Sequence, residues 1–133
     1  MKISVLHATC RPRKAIEYSK KWMYLAKHPE NIEYIFSFDN TAEANEVIKE
    51  NPEINFIMLP YRLGCVNKLN ATSYQATGDI FIQASEDVIP PQDWDELLIS
   101  AADWSKPVVL DCSDGHDDDR DLLKCTILNR AFW

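Results

Sequence analysis

The sequence GDIFIQASEDVIPPQDWD, residues 78–95, is the part of the chain that most clearly indicates the fold. Its first part, Asp79–Ala84, is a mainly apolar run of the kind that forms central strands of a parallel sheet. Two adjacent carboxylates, Glu86 and Asp87, follow that run almost directly. Ionised groups beside a buried strand need a partner, and Mg²⁺ or Mn²⁺, which prefer oxygen ligands, would supply one. The alternative is that both carboxylates lie in an exposed acidic turn.

The rest of the chain alternates short apolar runs with segments of helical spacing. Strands are predicted at Ile3–Ala8, Ile32–Phe38, Ile54–Leu59, Asp79–Ala84, Pro107–Leu110 and Leu122–Leu128. Helices are predicted at Arg13–Lys27, Ala42–Glu50, Val66–Thr77 and Asp93–Ala102, with Thr41 as the N-cap of the second and Gly78 as the C′ residue of the third. Strands that alternate with crossover helices predict an α/β fold, a Rossmann-like, mostly parallel sheet flanked by helices on both faces.

Ligands of such sheets bind beyond the carboxyl ends of the strands. Asp39 is predicted at one such end, where its carboxylate could accept hydrogen bonds from a ribose hydroxyl or a base N–H. It could instead cap the helix that follows. Arg11, after the first strand, could contact a phosphate at the start of a helix, or it could be a solvated side chain.

The composition limits the classes of partner. The chain has 133 residues, enough for one domain, with ordinary apolar (46%) and charged (26%) fractions. Its net charge of −7 and its single dense basic stretch, Arg11–Lys14, predict no nucleic-acid partner. No apolar run approaches the ~18 residues of a membrane span. The N-terminal apolar run is too short for a signal peptide, so a cytoplasmic location is expected.

Two further groups of residues give no sharper prediction. The four cysteines form no CxxC pair, which gives a structural zinc site no support. When the acidic segment Asp111–Asp121 is aligned with the calcium-binding loop of an EF-hand, Leu110 and Cys112 fall at ligand positions, which neither residue suits. The segment is therefore expected to be a solvated loop. His7, inside the first predicted strand, is expected to be a packed histidine rather than a ligand. No dinucleotide-binding glycine motif and no P-loop is present.

Several of these stretches together resemble the family 2 glycosyltransferases, which have the GT-A fold. ISVLHATCRP, residues 3–12, is similar to the family's opening strand and turn, and Asp39 stands where the family keeps its nucleotide-binding aspartate. Gly64, Asn70 and the pair at 78–79 resemble the segment that leads into its metal-binding strand. Residues 85–95 are similar to its DxD-like segment, so the resemblance covers residues 3 to about 98.

The resemblance implies a metal-dependent transferase that takes a sugar from a nucleotide-diphosphate sugar, with UDP-sugars among the candidates, and gives it to an unidentified acceptor. The nucleotide-sugar-binding residues that it implies are Thr9, Arg11, Asp39, Asn70, Glu86 and Asp87. Glu86 and Asp87 would also hold Mn²⁺ or Mg²⁺, because carboxylates repel a diphosphate unless a divalent cation bridges them. The chain departs from the family pattern at Glu86, where Asp is usual, and at Ser85, in place of the first acidic residue.

The resemblance also implies a domain organisation. Residues 1–133 would form a single GT-A-like nucleotide-sugar-binding domain whose C-terminal acceptor half is short or missing, since complete members of the family are longer. Apolar surface left exposed in this way would favour a homodimer. Two alternatives remain at this point: a non-catalytic nucleotide-sugar-binding module, and an unrelated small Mg²⁺-binding α/β protein.

Overall fold

The computed structural model describes residues 1–111 and 126–133. Within these ranges the strands are β1 (Ile3–Ala8), β2 (Ile32–Asp39), β3 (Asn55–Leu59), β4 (Ile80–Ala84), β5 (Val109–Asp111) and β6 (Thr126–Asn129). The helices are α1 (Pro12–Leu25), α2 (Ala42–Glu50), α3 (Cys65–Gln75) and α4 (Trp94–Ser100), with a 3₁₀ turn at Pro29–Asn31. Residues 112–125, which hold Cys112, Cys125 and most of the acidic segment, lie outside the described residues.

The strands form one sheet in the order β3-β2-β1-β4-β6-β5. The neighbours among β1 to β4 pair in parallel, whereas β6 runs antiparallel to β4 and β5 antiparallel to β6. Helices cover both faces: α1, α2 and α4 pack on one and α3 on the other. The predicted Rossmann-like, mostly parallel α/β sheet is therefore confirmed.

Successive side chains along β1 and β4 point to opposite faces of the sheet, and this explains why helices must pack on both faces. Val5 and Ile80 lie on the face of α1 and α4, and Leu6 and Phe81 lie on the face of α3; none of them is more than 2% exposed. Full burial of an apolar side chain of this size contributes roughly 1.5–3 kcal/mol. A strand that is apolar at successive positions can gain this on both sides only between two helical layers.

Side-chain oxygens that accept from backbone N–H groups mark the end of α1 and the start of α2. Helix α1 stops at Leu25, two residues before the predicted end, because the Asp95 carboxylate accepts hydrogen bonds from the backbone N–H groups of Lys27 (2.7 Å) and His28 (2.8 Å). The N-cap prediction for α2 is confirmed, since the Thr41 hydroxyl accepts from the Ala44 N–H at 3.1 Å.

The predicted role of Gly78 is wrong. Helix α3 ends at Gln75 and the next residue is already extended, so Gly78 does not end the helix. Instead it crosses over β1, where a β-carbon would meet the side chain of Ser4, its backbone nitrogen at 2.8 Å and the carbonyl oxygen of Lys2 at 2.9 Å. Glycine stands here because two backbone segments approach closely.

The Glu33 carboxylate holds this crossing together at the amino-terminal edge of the sheet. It accepts hydrogen bonds from the Ser4 hydroxyl (2.5 Å) and from the Thr77 backbone N–H (2.5 Å), and it pairs with the Lys2 ammonium at 2.8 Å. Burial alone would raise the pKa of Glu33, but these partners outweigh burial and lower the pKa to about 2. Glu33 therefore stabilises the fold as an anion.

Candidate nucleotide-sugar site

The topology places a crevice between β1 and β4. The connection from β1 to β2 runs through α1 on one face, whereas the connection into β4 runs through α3 on the other face. The loops that follow β1 and β3 therefore leave the sheet toward opposite faces, and the strand order reverses between β1 and β4. In open α/β sheets ligands bind at such a point, beyond the carboxyl ends of the strands. Thr9 follows β1 here, and the Glu86–Asp87 pair follows β4.

The Glu86 carboxylate lies at the centre of this crevice and is only 6% exposed. The Thr9 hydroxyl donates to its Oε1 atom, and Arg11 Nη2 lies 3.4 Å from its Oε2 atom. The ring atom His7 Nε2 lies 3.9 Å from the same Oε2. Burial by itself would raise the pKa of Glu86, but the interactions with His7 and Thr9 outweigh burial and lower the pKa to about 2. Glu86 is therefore ionised at neutral pH.

Asp87 differs from its neighbour because its side chain is 73% exposed. Two cations from the start of α1 lie beside its Oδ1 atom: Lys14 Nζ at 3.7 Å and Arg11 Nη2 at 3.9 Å. Exposed pairs of this kind add little stability. The two cations thus remain available to an anionic ligand, and Lys14 is a residue that the sequence prediction of the site did not include.

Lys68, which the sequence analysis also missed, connects Asp39 to the same crevice. Its ammonium group is buried and donates to Asp39 Oδ2 at 2.7 Å and to the Thr9 carbonyl at 2.8 Å. The Leu63 N–H donates to the other Asp39 oxygen at 3.3 Å. Asp39 thus joins the loops after β1, β2 and β3, and Thr41, not Asp39, caps α2. A lysine next to Leu69 on the buried side of α3 was the available signal, since a buried ammonium needs an anionic partner.

Asn70 stands apart from the other predicted site residues. It lies on α3 with an exposed side chain, and its carbonyl accepts a hydrogen bond from the Ser73 hydroxyl at 2.7 Å. Two residues along a helix rotate the side chain by roughly 200°, so Asn70 faces away from Lys68. Among the described contacts, none joins Asn70 to the crevice.

His7 packs as predicted and is completely buried. Its ring packs against Tyr34 and Phe36, with centroids 5.8 and 5.9 Å away, and its Nδ1 atom is 2.7 Å from the Tyr34 hydroxyl. In the described ranges its Nε2 atom has no hydrogen-bond partner. His7 is thus a core residue that also faces the central carboxylate of the site.

Two tryptophans anchor the acidic turn to the core. The Trp22 indole donates to the Val88 carbonyl at 3.1 Å, and the Trp94 indole donates to the Trp22 carbonyl at 2.9 Å. Their rings meet edge to face with centroids 5.1 Å apart. They line an apolar cavity of about 330 Å³ that also borders Val88–Pro91. The two indole hydrogen bonds and the packing of the rings therefore hold the turn that carries Asp87 against the core.

The acidic pair suits a divalent cation only in part. In residues 1–111 and 126–133, no group of three or more His, Cys, Asp or Glu side chains is arranged to hold a metal ion. Mg²⁺ and similar ions commonly bind through one or two carboxylates together with substrate phosphates and water. Asp87 fits that mode because its carboxylate is open to solvent, whereas both Glu86 oxygens already have protein partners.

Comparison with known proteins identifies the family. Residues 20–129, most of the chain, match the model of the family described as Glycosyl transferase family 2. The chain belongs to this family. No curated protein matches it closely by sequence.

Solved structures of glycosyltransferases share its fold. The mannosyltransferase PcManGT from Pyrobaculum calidifontis, solved in complex with GDP-Man and Mn²⁺, has a TM-score of 0.70 and 16% identity, over 98% of this chain and 45% of that one. S. aureus TarS in complex with UDP-GlcNAc has a TM-score of 0.61 and 16% identity, and the match covers 75% of this chain and 30% of the TarS chain.

Glucosyl-3-phosphoglycerate synthase from Mycobacterium tuberculosis, in complex with UDP, has a TM-score of 0.54 and 16% identity, over 75% of this chain and 39% of its own. This chain thus spans less than half the length of each of the three. At this identity the likeness concerns the fold, which is of the GT-A type. None of the helices in the described ranges has the length and apolarity needed to cross a membrane.

Proposed function

We propose that the crevice between β1 and β4 binds a nucleotide-diphosphate sugar together with Mn²⁺ or Mg²⁺. The protein would then be a metal-dependent glycosyltransferase or the donor-binding domain of one, with residues 1–133 forming that domain. The observation that carries the proposal is the single contact network at this edge, in which Thr9, Arg11, Glu86 and Asp87 meet. Lys68 joins Asp39 to the same network through Thr9. The ligands bound in the solved structures of the neighbours, GDP-Man with Mn²⁺ and UDP-GlcNAc, support this class of ligand.

Each side chain suits one part of such a ligand. Lys68 holds one side of the Asp39 carboxylate, and the lone pairs left over can accept from a ribose hydroxyl or a base N–H. The Thr9 hydroxyl holds Glu86 in place for a ribose hydroxyl. Asn70, which the family resemblance places in the site, would contact the ligand only if the ligand extends along α3.

Charge explains why cations gather on the other side of the crevice. Two like unit charges 4 Å apart repel by about 4 kcal/mol at an effective dielectric constant of 20. A diphosphate beside Asp87 and Glu86 therefore needs compensation, which Arg11 and Lys14 supply in part. A divalent cation on Asp87 would supply the rest, and as a Lewis acid it would stabilise the charge on the departing nucleoside diphosphate.

A nucleotide-sugar-binding module without transfer is the second candidate. Of the three carboxylates gathered at this edge in the described part of the chain, Asp39 and Glu86 are paired with Lys68 and Arg11. Asp87 is assigned to the cation, so no carboxylate of this group is left to deprotonate an acceptor hydroxyl. The third hypothesis, an unrelated Mg²⁺-binding α/β protein, does not agree with the family match.

Calorimetric titration with UDP, GDP, UDP-GlcNAc and GDP-mannose, each with and without Mn²⁺, tests the proposal. We expect one nucleotide class to bind, more tightly with Mn²⁺, and Asp87→Ala to remove the Mn²⁺ effect. Glu53→Ala is the matched control because Glu53 is exposed just before β3, at the opposite edge of the sheet. A folded protein that binds none of the four would contradict the proposal. Release of free UDP or GDP from the sugar nucleotide over time would separate the transferase from the binding module.

A further inference from the structure

The Oε2 atom of Glu86 lies between two different donors. Arg11 Nη2 is 3.4 Å away on the solvent side, and its side chain is 52% exposed. His7 Nε2 is 3.9 Å away on the core side and is completely buried. A normal N–H···O hydrogen bond is about 2.9 Å long, so the carboxylate is close to both donors and well bonded to neither. The other oxygen, Oε1, is held by the Thr9 hydroxyl.

Chemistry decides where the proton of His7 lies. With its proton on Nδ1, the ring would turn the lone pair of Nε2 toward the Glu86 carboxylate in a buried setting, which is repulsive. With the proton on Nε2, the ring presents a donor to Glu86 and an acceptor, Nδ1, to the Tyr34 hydroxyl at 2.7 Å. Burial, and then the nearby Glu86, raises the pKa of Tyr34 well above its usual value, so that hydroxyl keeps its proton and can donate.

We propose that Glu86 changes partners when a diphosphate binds: Arg11 leaves Glu86 for the phosphate oxygens, and His7 Nε2–H takes its place on Glu86 Oε2. His7, oriented by Tyr34, is then a positioning residue. This inference rests on the proposed function, because it needs an anionic ligand to attract Arg11. No proton is transferred; the carboxylate shifts by about 1 Å toward His7 to reach hydrogen-bond distance.

The exchange removes a cost that binding would otherwise carry. If Arg11 left with nothing behind Glu86, a buried carboxylate oxygen would lose its donor, and leaving such a group unpaired is costly. The buried His7 donor offsets that loss. Arg11 can thus bind the ligand while the Glu86 carboxylate keeps a hydrogen-bond donor.

Two measurements test the inference. The first needs no ligand: ¹⁵N-detected NMR of the histidine rings, with the His7 signals assigned through a His7→Gln variant. We expect the proton on Nε2 in the wild type and a mixture of tautomers in Tyr34→Phe. A wild-type His7 protonated only on Nδ1 would overturn the inference. On addition of UDP or GDP with Mg²⁺, we expect the Nε2–H proton signal to move downfield as the hydrogen bond to Glu86 shortens.

The second measurement compares the affinities for UDP and GDP with those for uridine and guanosine, which have no phosphate. His7→Phe should weaken diphosphate binding by about tenfold, the loss expected for one hydrogen bond to a charged group, and leave nucleoside binding unchanged. His7→Gln, which keeps a donor, should restore part of the affinity. Ser37→Ala is the matched control, because Ser37 Oγ is also buried without a partner in the described ranges but lies on the α3 side of the sheet.

The outcomes separate the two proposals. A wild type that binds neither UDP nor GDP would refute the proposed function and the exchange with it. A wild type that binds one of them, with His7→Phe and Tyr34→Phe binding it equally well, would refute the exchange alone. If His7→Phe fails to fold, Tyr34→Phe decides the matter, since it removes one hydroxyl and keeps the ring that packs on Phe36.

Discussion

Replacing Lys68 by methionine should destabilise the protein strongly, because its ammonium is the cation that balances the Asp39 carboxylate inside the fold. Both side chains are less than a tenth exposed, and their charged atoms are 2.7 Å apart. Removing one partner of such a pair costs about 3–5 kcal/mol, since a buried charge is left uncompensated. We expect the lower end of this range, because the Leu63 N–H still donates to Asp39. That loss is a large part of the 5–15 kcal/mol typical of a domain.

The double variant Asp39→Asn/Lys68→Met should recover most of this stability, because it removes the unpaired charge as well. Urea unfolding of the four proteins in this cycle measures the coupling between the two residues. With a urea slope of about 1.5–2 kcal/mol per M, a loss of 3 kcal/mol lowers the midpoint by about 1.5–2 M. A coupling energy near zero would refute the reasoning, since the two charges would then be stabilised independently by solvent.

Three other predictions concern different parts of the molecule. Glu33→Gln should cost up to about 3 kcal/mol near pH 7, from a pKa lowered to about 2 against an ordinary 4.5. Because the folded pKa is the lower one, this contribution is complete above about pH 4.5 and fades as the pH falls toward 2; an unfolding midpoint that differs between variant and wild type by the same amount at pH 7 and pH 2.5 would contradict it. Gly78→Ala should lower the free energy of unfolding by about 1–3 kcal/mol, because its β-carbon would overlap backbone of β1, whereas Gly64→Ala, with open space around it, should change it by less than about 1 kcal/mol. Asp87→Ala should keep the thermal unfolding temperature of the wild type, since Asp87 is exposed, and should remove any Mn²⁺-dependent gain in nucleotide affinity measured by calorimetry. An equal Mn²⁺ effect in variant and wild type would show that Asp87 does not hold the cation.

Local signals in the sequence predicted the framework well, and their limits are physical. Periodicity placed the strands and helices within two or three residues in the described ranges, because burial on one or both faces imposes it. The Thr41 cap was predictable because capping is a contact over three residues. The end of α1 was not, because Asp95 lies far along the chain. Gly78 was misassigned for the same reason: its partner is β1.

The site shows the same division. The position of Asp39, Glu86 and Asp87 at strand ends follows from the order of the elements, because carboxyl ends of parallel strands share an edge. Their different states do not follow from that order. Glu86 is buried and bonded to Thr9, whereas the adjacent Asp87 is open to solvent.

The sequence by itself thus determined the α/β architecture and the family, and it predicted the edge of the sheet at which we propose that a ligand binds, because these depend on local periodicity and on short motifs. Only the tertiary structure decided which side chains meet there. Lys68 reaches Asp39 from 29 residues away, and Glu86 meets Arg11 and Thr9 across more than 70. Such partners depend on how the crossover helices pack on the sheet, and the distances between buried charges and their donors set the electrostatics of the site.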